Sequence, residues 1–479
     1  MLDVPALALE VVDSLMSADF RARLHAWWKS LFPGGSSPTP SPGLYPFTRT
    51  KDERTDRLHL RVDPDGHGTL LLNANRFLHL NPTACMLAYH YLNGTDQPAL
   101  ARQLRENFHV SLPQAEEDVQ HLTTDLERFI RADGKPFFAE SALEIERPFS
   151  RQPRAPYRMD LPLIYRCNND CPHCYNARER SFPELDTQAW INILDRVWSQ
   201  AIPHVVFTGG EPTLRKDLPD LIQYAEGKGL ITGLNSHGRR LADPQYLEQL
   251  VQAGLDHVQI TLESHDPQVH DQMVHHKGAW EETVQGIKNA LDSPLYVMTN
   301  TTMLQDNRDT VAETLDFLAQ IGVPTVGLNA LIYAGKGQDV GTGLPDSELP
   351  DLLTTARRKT GTAGQRLIWY TPTQYCRFNP LDMELGVKGC TAALYNMCVE
   401  PNGDVLPCQS YYQALGNILH DPWDSIWLHP LAANIRDRKY APQICRQCDL
   451  FPECGGGCPL ALSEYGEAAN PERLIPLNN

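Results

Sequence analysis

The sequence predicts an α/β fold built around an incomplete barrel of parallel strands, with a small α+β domain before it and a cysteine-rich domain after it. Three observations lead to this prediction. Strand-like and helix-like segments alternate between residues 156 and 335, and such alternation favours parallel strands joined by right-handed crossovers. A hairpin pattern and three helical patterns fill residues 56–133. Eight of the twelve cysteines follow residue 375, in a stretch rich in glycine and proline.

The barrel prediction depends on six short strand patterns separated by helical ones. The strands are MDLPLIY, HVVFTGG, ITGLNS, HVQITLES, LYVMTNTTM and PTVGLNALIY. The helices between several of them are TQAWINILDRVWSQA, LPDLIQYAEGKG, PQYLEQLVQAG and AWEETVQGIKNAL. Enzymes with parallel strands place their active sites at the carboxyl ends of the strands, so we expect functional residues there.

The region before the barrel predicts a small domain. RLHLRV and TLLLNAN flank the turn signal DPDG at residues 63–66, and RFLHLN follows. The first helix begins near Pro82 and ends at Asn93 and Gly94. A second short helix precedes SLPQAEEDVQHLTTDLERFI, whose apolar residues recur at helical spacing.

Changes in composition divide the chain into four regions. Residues 1–43 hold an amphipathic arm and the linker GGSSPTPSPG, and residues 44–150 hold the small domain. The barrel occupies residues 151–335, and the cysteine-rich domain occupies residues 336–479. The last region has little periodicity, so we expect bound metal to supply much of its stability.

Charge and hydropathy narrow the possible partners and the compartment. The 479 residues include 42 basic and 59 acidic side chains, a formal charge of −17, which disfavours a nucleic-acid partner. The sequence contains no run of eighteen apolar residues, so no membrane span is predicted. The N-terminus lacks the basic start of a secretory signal, so we expect a cytoplasmic protein with reduced thiols. Twelve cysteines in that compartment indicate metal or redox chemistry.

A cysteine triplet follows the first predicted barrel strand. Cys167, Cys171 and Cys174 are separated by three and two residues, a spacing that suits a loop around one iron–sulfur cubane. Three thiolates leave one of four irons open to a ligand. A zinc site with His173 as the fourth ligand is the alternative.

A second motif, Gly209, Gly210, Glu211 and Pro212, ends the second predicted strand. Together with the triplet, it resembles the radical S-adenosylmethionine (radical SAM) superfamily. The resemblance implies a partial (β/α)6 barrel, with Cys167, Cys171 and Cys174 holding a [4Fe–4S] cluster whose open iron binds S-adenosylmethionine. It also implies roles in binding that cofactor for Tyr175 beside the adenine, Gly209, Gly210 and Glu211 at the methionine amino group, and Asn235, Ser236, Thr261, Glu263 and Asn300 at strand ends. Val326, Leu328 and Ala330 are expected to line the adenine slot.

The C-terminal cysteines form a second set of candidate ligands. Cys445, Cys448, Cys454 and Cys458 lie close together in the sequence, and Cys390 and Cys408 precede them. This arrangement resembles the SPASM domain, which carries auxiliary iron–sulfur clusters in radical SAM enzymes. The resemblance implies one cluster on Cys390, Cys398, Cys408 and Cys458, and another on Cys445, Cys448 and Cys454. No further cysteine follows Cys458, so the second cluster needs Cys376, a tail carboxylate such as Glu464, or an open iron. Zinc in both sites is the alternative.

The small N-terminal domain resembles the precursor-peptide recognition element, on the pattern LNPTAC, LNGT, ALARQL and EEDVQ. That resemblance implies that a leader peptide adds as a strand to the edge of the hairpin. The alternative is a winged-helix-like domain that only docks on its neighbour.

These resemblances predict an enzyme that reductively cleaves S-adenosylmethionine and abstracts hydrogen from a peptide during its maturation. A reducing partner such as flavodoxin or ferredoxin is expected. One alternative substrate is a tetrapyrrole or metal-pterin precursor, and another alternative is a non-catalytic iron–sulfur or zinc protein. The catalytic base is left open among Asp266, Asp271 and Asp382, and the histidines are expected to be solvated or to lie behind the ligands.

Overall fold

The computed structural model describes residues 40–464 except 52–53, 74–75, 109, 132–152, 178–179 and 181. The predicted amphipathic arm and most of its linker lie outside these residues. Within the described part, no helix is long and apolar enough to cross a membrane.

The N-terminal domain is a four-stranded antiparallel sheet covered on one face by three helices. The predicted hairpin forms its centre, and one strand is added on each side. The first helix begins where predicted, because Asn81 caps it by accepting a hydrogen bond from the Ala84 N–H. The elements are β1 (Gly43–Lys51), β2 (Arg54–Val62), β3 (Gly68–Leu72), β4 (Arg76–Leu80), α1 (Pro82–Leu92), α2 (Gln97–Phe108) and α3 (Leu112–Arg131).

The barrel contains the six predicted strands, all parallel and in sequential order. A seventh parallel strand follows them. The strands are β5 (Arg158–Ile164), β6 (His204–Gly209), β7 (Ile231–Ser236), β8 (His257–Thr261), β9 (Tyr296–Thr302), β10 (Thr325–Asn329) and β11 (Arg366–Trp369). The helices are α4 (Thr187–Ser199), α5 (Leu218–Lys228), α6 (Pro244–Gln252), α7 (Pro267–Val274), α8 (Ala279–Leu291), α9 (Val311–Gln320) and α10 (Leu349–Thr362).

The cysteine-rich region continues the sheet of the barrel. Its strand β12 pairs in parallel with β5, and two further strands add to it antiparallel. The sheet therefore crosses the boundary that composition places at residue 335. The elements are β12 (Asn396–Val399), β13 (Asp404–Leu406), β14 (Gly416–Asn417), α11 (Trp423–Trp427), α12 (Pro430–Arg436), α13 (Phe451–Cys454) and α14 (Pro459–Glu464).

The two faces of the barrel sheet differ in polarity. Val326 and Leu328 on β10 are buried in the apolar core between the sheet and its outer helices. Alternate residues of a strand point to opposite faces, so Gly327 and Asn329 face the interior of the barrel. The expectation that Val326 and Leu328 line an adenine slot is therefore wrong, because the apolar face of this sheet is its outer one.

The N-terminal domain docks on the amino end of the barrel, opposite the carboxyl ends of the strands. Arg57 of β2 contacts Glu226 and Asp256 at 2.6 Å, and Asp256 immediately precedes β8. His59 donates from Nε2 to the Gly229 carbonyl at 2.6 Å, just before β7. Arg61 donates to the carbonyls of residues 155 and 156, just before β5. One face of β2 therefore contacts three barrel strands at their starts.

Candidate active site

The cysteine triplet lies in the loop after β5, at the carboxyl end of the barrel. Burial, together with the charges of Glu211 and Cys174, raises the pKa of Cys167 to about 11. Burial also raises the pKa of Cys171 and Cys174. Since a thiolate is the metal-binding form of cysteine, three such groups together favour a bound cation that stabilises their negative charge.

One side of this loop is held by the turn after β7. His237 Nε2 lies 2.7 Å from Asn168 Oδ1. Arg239 donates to the Asn168 carbonyl at 2.8 Å and to Asn169 Oδ1 at 2.7 Å. Another nitrogen of the Arg239 guanidinium lies 2.8 Å from His276 Nε2. His276 therefore lies behind the cysteine loop, as expected. The stretch between Cys167 and Cys171 is thus fixed by side chains from a different strand end.

The other side of the loop is held by the turn after β10. The Lys336 ammonium pairs with Asp170, and the Lys336 N–H donates to the Cys174 carbonyl at 3.0 Å. Gly335 has a positive φ of 56°, and a Cβ there would lie 2.6 Å from the Tyr175 carbonyl oxygen. The close approach requires glycine at this position.

His173 points to a carboxylate just after β8 rather than to the three thiols. Its Nε2 lies 3.0 Å from Glu263 Oε1, and both side chains are buried. The second oxygen of Glu263 accepts the Thr302 N–H at 2.8 Å. Glu263, expected among the cofactor contacts, therefore connects the end of β9 to the cysteine loop.

The glycine pair at the end of β6 is required by the backbone of β5. A Cβ on Gly209, whose φ is 141°, would overlap the carbonyl oxygen of Ile164. A Cβ on Gly210 would overlap the carbonyl oxygen of Arg166. The residues leading into the cysteine loop thus pack directly on these two glycines.

The Glu211 carboxylate is fully buried and accepts four hydrogen bonds. Oε1 accepts from the Thr213 N–H, the Thr213 hydroxyl and the Ser236 hydroxyl at 3.1, 2.6 and 2.9 Å. Oε2 accepts the His237 N–H at 3.0 Å. Glu211 and Ser236 therefore shape the turn that holds Asn168.

Three other predicted cofactor contacts lie on the interior face of the sheet. Thr261 and Asn300 are direct neighbours on β8 and β9, and Asn235 lies on β7. Asn300 Oδ1 is buried and has no hydrogen-bond partner among the described residues. A buried acceptor without a donor is costly, so this position suits a ligand that donates a hydrogen bond, such as a ribose hydroxyl or an ammonium group. The residues present thus fit S-adenosylmethionine.

The eight C-terminal cysteines fall into two groups. In the first, burial raises the pKa of Cys408 to about 12, with Cys458 acting in the same direction. Burial also raises the pKa of Cys390, to which the charges of Cys458 and Cys408 add, and Cys398 interacts with Cys408. The first group is therefore Cys390, Cys398, Cys408 and Cys458.

The second group contains Cys376. Burial, together with the charges of Cys376, Cys454 and Cys448, raises the pKa of Cys445 to about 11. Burial raises the pKa of Cys376 as well, and the charges of Cys454 and Cys448 act in the same direction. The structure thus brings Cys376 to the three clustered cysteines, while the side chain of Glu464 lies outside the described part of the chain.

The side chain that a zinc ion would need as fourth ligand at the first site has another partner. His173 Nε2 lies 3.0 Å from Glu263 Oε1. A structural zinc ion needs four ligands around one point, whereas the thiolates of a cubane bind separate irons. The donor sets fit iron–sulfur clusters better.

Two of the three candidate bases have structural roles. Asp266 caps α7 by accepting the N–H groups of Gln268 and Val269. Asp271 accepts the N–H groups of Gly278 and Trp280. Asp382 is exposed. Arg239, His237 and Lys336 were not among the predicted site residues. Each lies just after the end of a predicted strand, and this position could have indicated that they lie near the site.

Two family models match the chain. Residues 161–318 match the Radical SAM superfamily, and residues 390–449 match SPASM, described as an iron–sulfur cluster-binding domain. The chain is 26% identical over 331 residues to PqqA peptide cyclase of Rhizobium meliloti (strain 1021), covering 66% of this chain and 86% of the relative. It is 28% identical over 327 residues to PqqA peptide cyclase of Xanthomonas campestris pv. campestris (strain 8004), covering 66% and 85%.

Solved structures share the fold. SuiB of Streptococcus suis bound to precursor peptide SuiA superposes with a TM-score of 0.64 at 15% identity, over 85% of this chain and 95% of that chain. Native anSMEcpe with bound AdoMet superposes with a TM-score of 0.54 at 16% identity, over 65% and 92%. With the thiol loop, the barrel and the second cysteine set in place, the chain carries a radical SAM domain, followed after its barrel by a SPASM domain.

Proposed function

We propose that this enzyme modifies a peptide, and that Cys167, Cys171 and Cys174 hold the cluster that binds S-adenosylmethionine. The observation that carries the proposal is the cysteine loop, fixed from three strand ends around three thiols at the mouth of a polar barrel interior. When bound, the [4Fe–4S] cluster and S-adenosylmethionine supply a 5′-deoxyadenosyl radical that removes a hydrogen atom from the substrate.

The residues of the chain bind and orient the cofactor. Asn300 Oδ1 accepts a hydrogen bond from the ligand, and Thr261 lies beside it at the same level of the barrel. Asn235 faces the interior from β7. The carboxylates of Glu211 and Glu263 act indirectly, by fixing the loop and the turn beside it. The barrel wall shields the radical from water and from stray thiols.

The SPASM cysteines are proposed to hold two auxiliary clusters, which gives three cubanes in the chain. Cys390, Cys398, Cys408 and Cys458 form the first ligand set. Cys445, Cys448 and Cys454 form the second, and Cys376 is proposed as its fourth ligand because it interacts with these three thiols. Auxiliary clusters can accept the electron that a substrate radical must lose. A flavodoxin or ferredoxin in the cytoplasm is proposed to reduce the cluster on Cys167, Cys171 and Cys174.

Two observations support a peptide as the substrate. The relatives are named as cyclases of the PqqA peptide, and SuiB was solved with a precursor peptide. The N-terminal domain presents two sheet edges, β1 and β4, and an extended peptide can add to such an edge as a further strand. Its docking on the amino end of the barrel leaves the carboxyl end open for the chemistry.

The test is anaerobic incubation with dithionite, S-adenosylmethionine and candidate peptides, read by mass spectrometry. We expect 5′-deoxyadenosine and a peptide whose mass falls by the hydrogens removed. Cys171→Ala abolishes 5′-deoxyadenosine formation, whereas Cys85→Ala, which removes a buried thiol of the N-terminal domain, retains it. Cleavage by the Cys171 variant would contradict the cluster assignment. Cleavage without any change in peptide mass would favour the tetrapyrrole or metal-pterin alternative.

A further inference from the structure

Two tyrosines bracket the cysteine loop, and both contact the SPASM domain. Tyr165 comes two residues before Cys167, and Tyr175 directly follows Cys174. Their partners lie more than 200 residues away in the chain. The entrance and the exit of the loop are therefore both held by the domain that carries the auxiliary cysteines.

The contact at the entrance is a buried ionic network. The Tyr165 hydroxyl donates to Glu400 Oε1 at 2.6 Å. Arg180 stacks its guanidinium on the Tyr165 ring and lies 3.3 Å from the same Glu400 oxygen. The side chains of Arg180 and Glu400 are only 6% and 4% exposed. Glu400 comes two residues after Cys398, so this network connects the first auxiliary ligand set to the start of the loop.

The contact at the exit uses the segment after Cys408. The Tyr412 hydroxyl donates to the Tyr175 carbonyl. The Tyr175 hydroxyl donates to Gln409 Oε1 at 3.3 Å, and Gln409 Nε2 lies 3.4 Å from the Thr208 hydroxyl inside the barrel. A segment of five residues thus connects Cys408 to the residue that follows Cys174.

We propose that Glu400, Gln409 and Tyr412 are positioning residues through which the auxiliary ligand segments hold the loop that binds S-adenosylmethionine. This inference rests on the proposed cysteine assignments. Hydrogen bonds in a buried setting fix geometry more firmly than exposed ones, because their loss leaves a polar group without a partner. Each of the two segments restrains one end of the loop, so disturbing either one is expected to weaken cofactor binding without changing a ligand.

The test compares Tyr412→Phe with Tyr411→Phe in the reconstituted full-length enzyme. Both variants lose one hydroxyl close to Cys408, but no hydrogen bond among the described residues uses the Tyr411 hydroxyl. We expect Tyr412→Phe to bind S-adenosylmethionine roughly three- to tenfold more weakly, the cost of one lost hydrogen bond. The change that S-adenosylmethionine causes in the EPR spectrum of the reduced cluster should need correspondingly more cofactor.

Glu400 provides an independent variant pair. Glu400→Gln keeps an acceptor for Tyr165 but removes the negative charge beside Arg180, so it should lose part of the cofactor affinity. Glu400→Ala removes the acceptor as well and should show the larger loss. Loss of iron from Tyr412→Phe but not from Tyr411→Phe would also support the inference. Equal cofactor affinity and EPR response in the two tyrosine variants, at equal iron content, would overturn it. If wild type forms no 5′-deoxyadenosine, the proposed function fails instead.

Discussion

Glu211→Gln tests whether the carboxylate of the glycine-rich motif shapes the cysteine loop through the neighbouring turn. A glutamine amide has one oxygen that can accept hydrogen bonds and one nitrogen that donates them. With its oxygen in place of Oε1, it can retain the bonds from Thr213 and Ser236. Its nitrogen then faces the His237 N–H, which loses its acceptor. The substitution thus removes one hydrogen bond, and with it the negative charge 3.3 Å from His237 Nε2, with little change in volume.

The expected cost follows from that single bond. A hydrogen bond to a charged group contributes about 1.5–3 kcal/mol, so the turn at His237 should open roughly ten to a hundred times more often. His237 and Arg239 hold Asn168 from this turn. The loop around the three cysteines should therefore become less ordered, and the yield of 5′-deoxyadenosine should fall.

Hydrogen–deuterium exchange of the reconstituted enzyme measures this opening directly. We expect faster exchange in residues 236–239 and 167–174, with little change in the N-terminal domain. Glu282→Gln is the matched control, since Glu282 pairs with Arg239 but is half exposed, and exposed pairs contribute about 0–1 kcal/mol. If Glu211→Gln exchanges no faster than Glu282→Gln in the turn, the carboxylate does not act through His237.

Three further predictions concern other parts of the chain. Burial lowers the pKa of His59 to about 4, below its usual 6.5. The unfolded chain therefore binds a proton at His59 more readily than the folded chain does. The free energy of unfolding should be unaffected above pH 6.5 and should fall by about 3 kcal/mol between pH 6.5 and pH 4. Accordingly, Tm should fall less between pH 7 and pH 5 in His59→Gln than in wild type. Arg57→Ala removes the positive charge that pairs with Asp256, at a cost of about 2–3 kcal/mol because Glu226 is 38% exposed. The N-terminal domain should then detach from the barrel more often and be cleaved faster by proteases. Reconstituted wild type should hold about twelve irons and Cys376→Ala about eight, and equal iron counts together with unchanged EPR spectra of the auxiliary clusters would exclude Cys376 as a ligand.

The parts of the fold that sequence reasoning predicts correctly are those with a local signal. The six barrel strands are apolar runs bounded by helices, and the three cysteines of the triplet lie within eight residues of sequence. Strand β11 was not predicted, since it has only four residues and is separated from the end of α10 by only three. The resemblance implied that Val326 and Leu328 line the adenine slot, whereas this barrel is polar inside and apolar outside.

The contacts that hold the cysteine loop have no local signal. Arg239 lies 70 residues from Asn169, and Tyr412 lies 237 residues from Tyr175. Such pairs form only when strand order brings two strand ends together, so a single sequence cannot reveal them. Cys376 is an intermediate case, since counting cysteines suggested it and the folded chain brings it to the second group.

Several residues that the motifs predicted to contact the cofactor instead hold the cysteine loop in place. Gly209 and Gly210 let β6 pack on the residues entering the loop, Glu211 shapes the turn that holds one side, and Glu263 holds His173. The three thiols are thus brought to one place by contacts that need no metal, which lowers the entropic cost of assembling the cluster. Substitutions at these positions should therefore reduce cluster loading first, and changes in the product should follow only from residues that face the barrel interior.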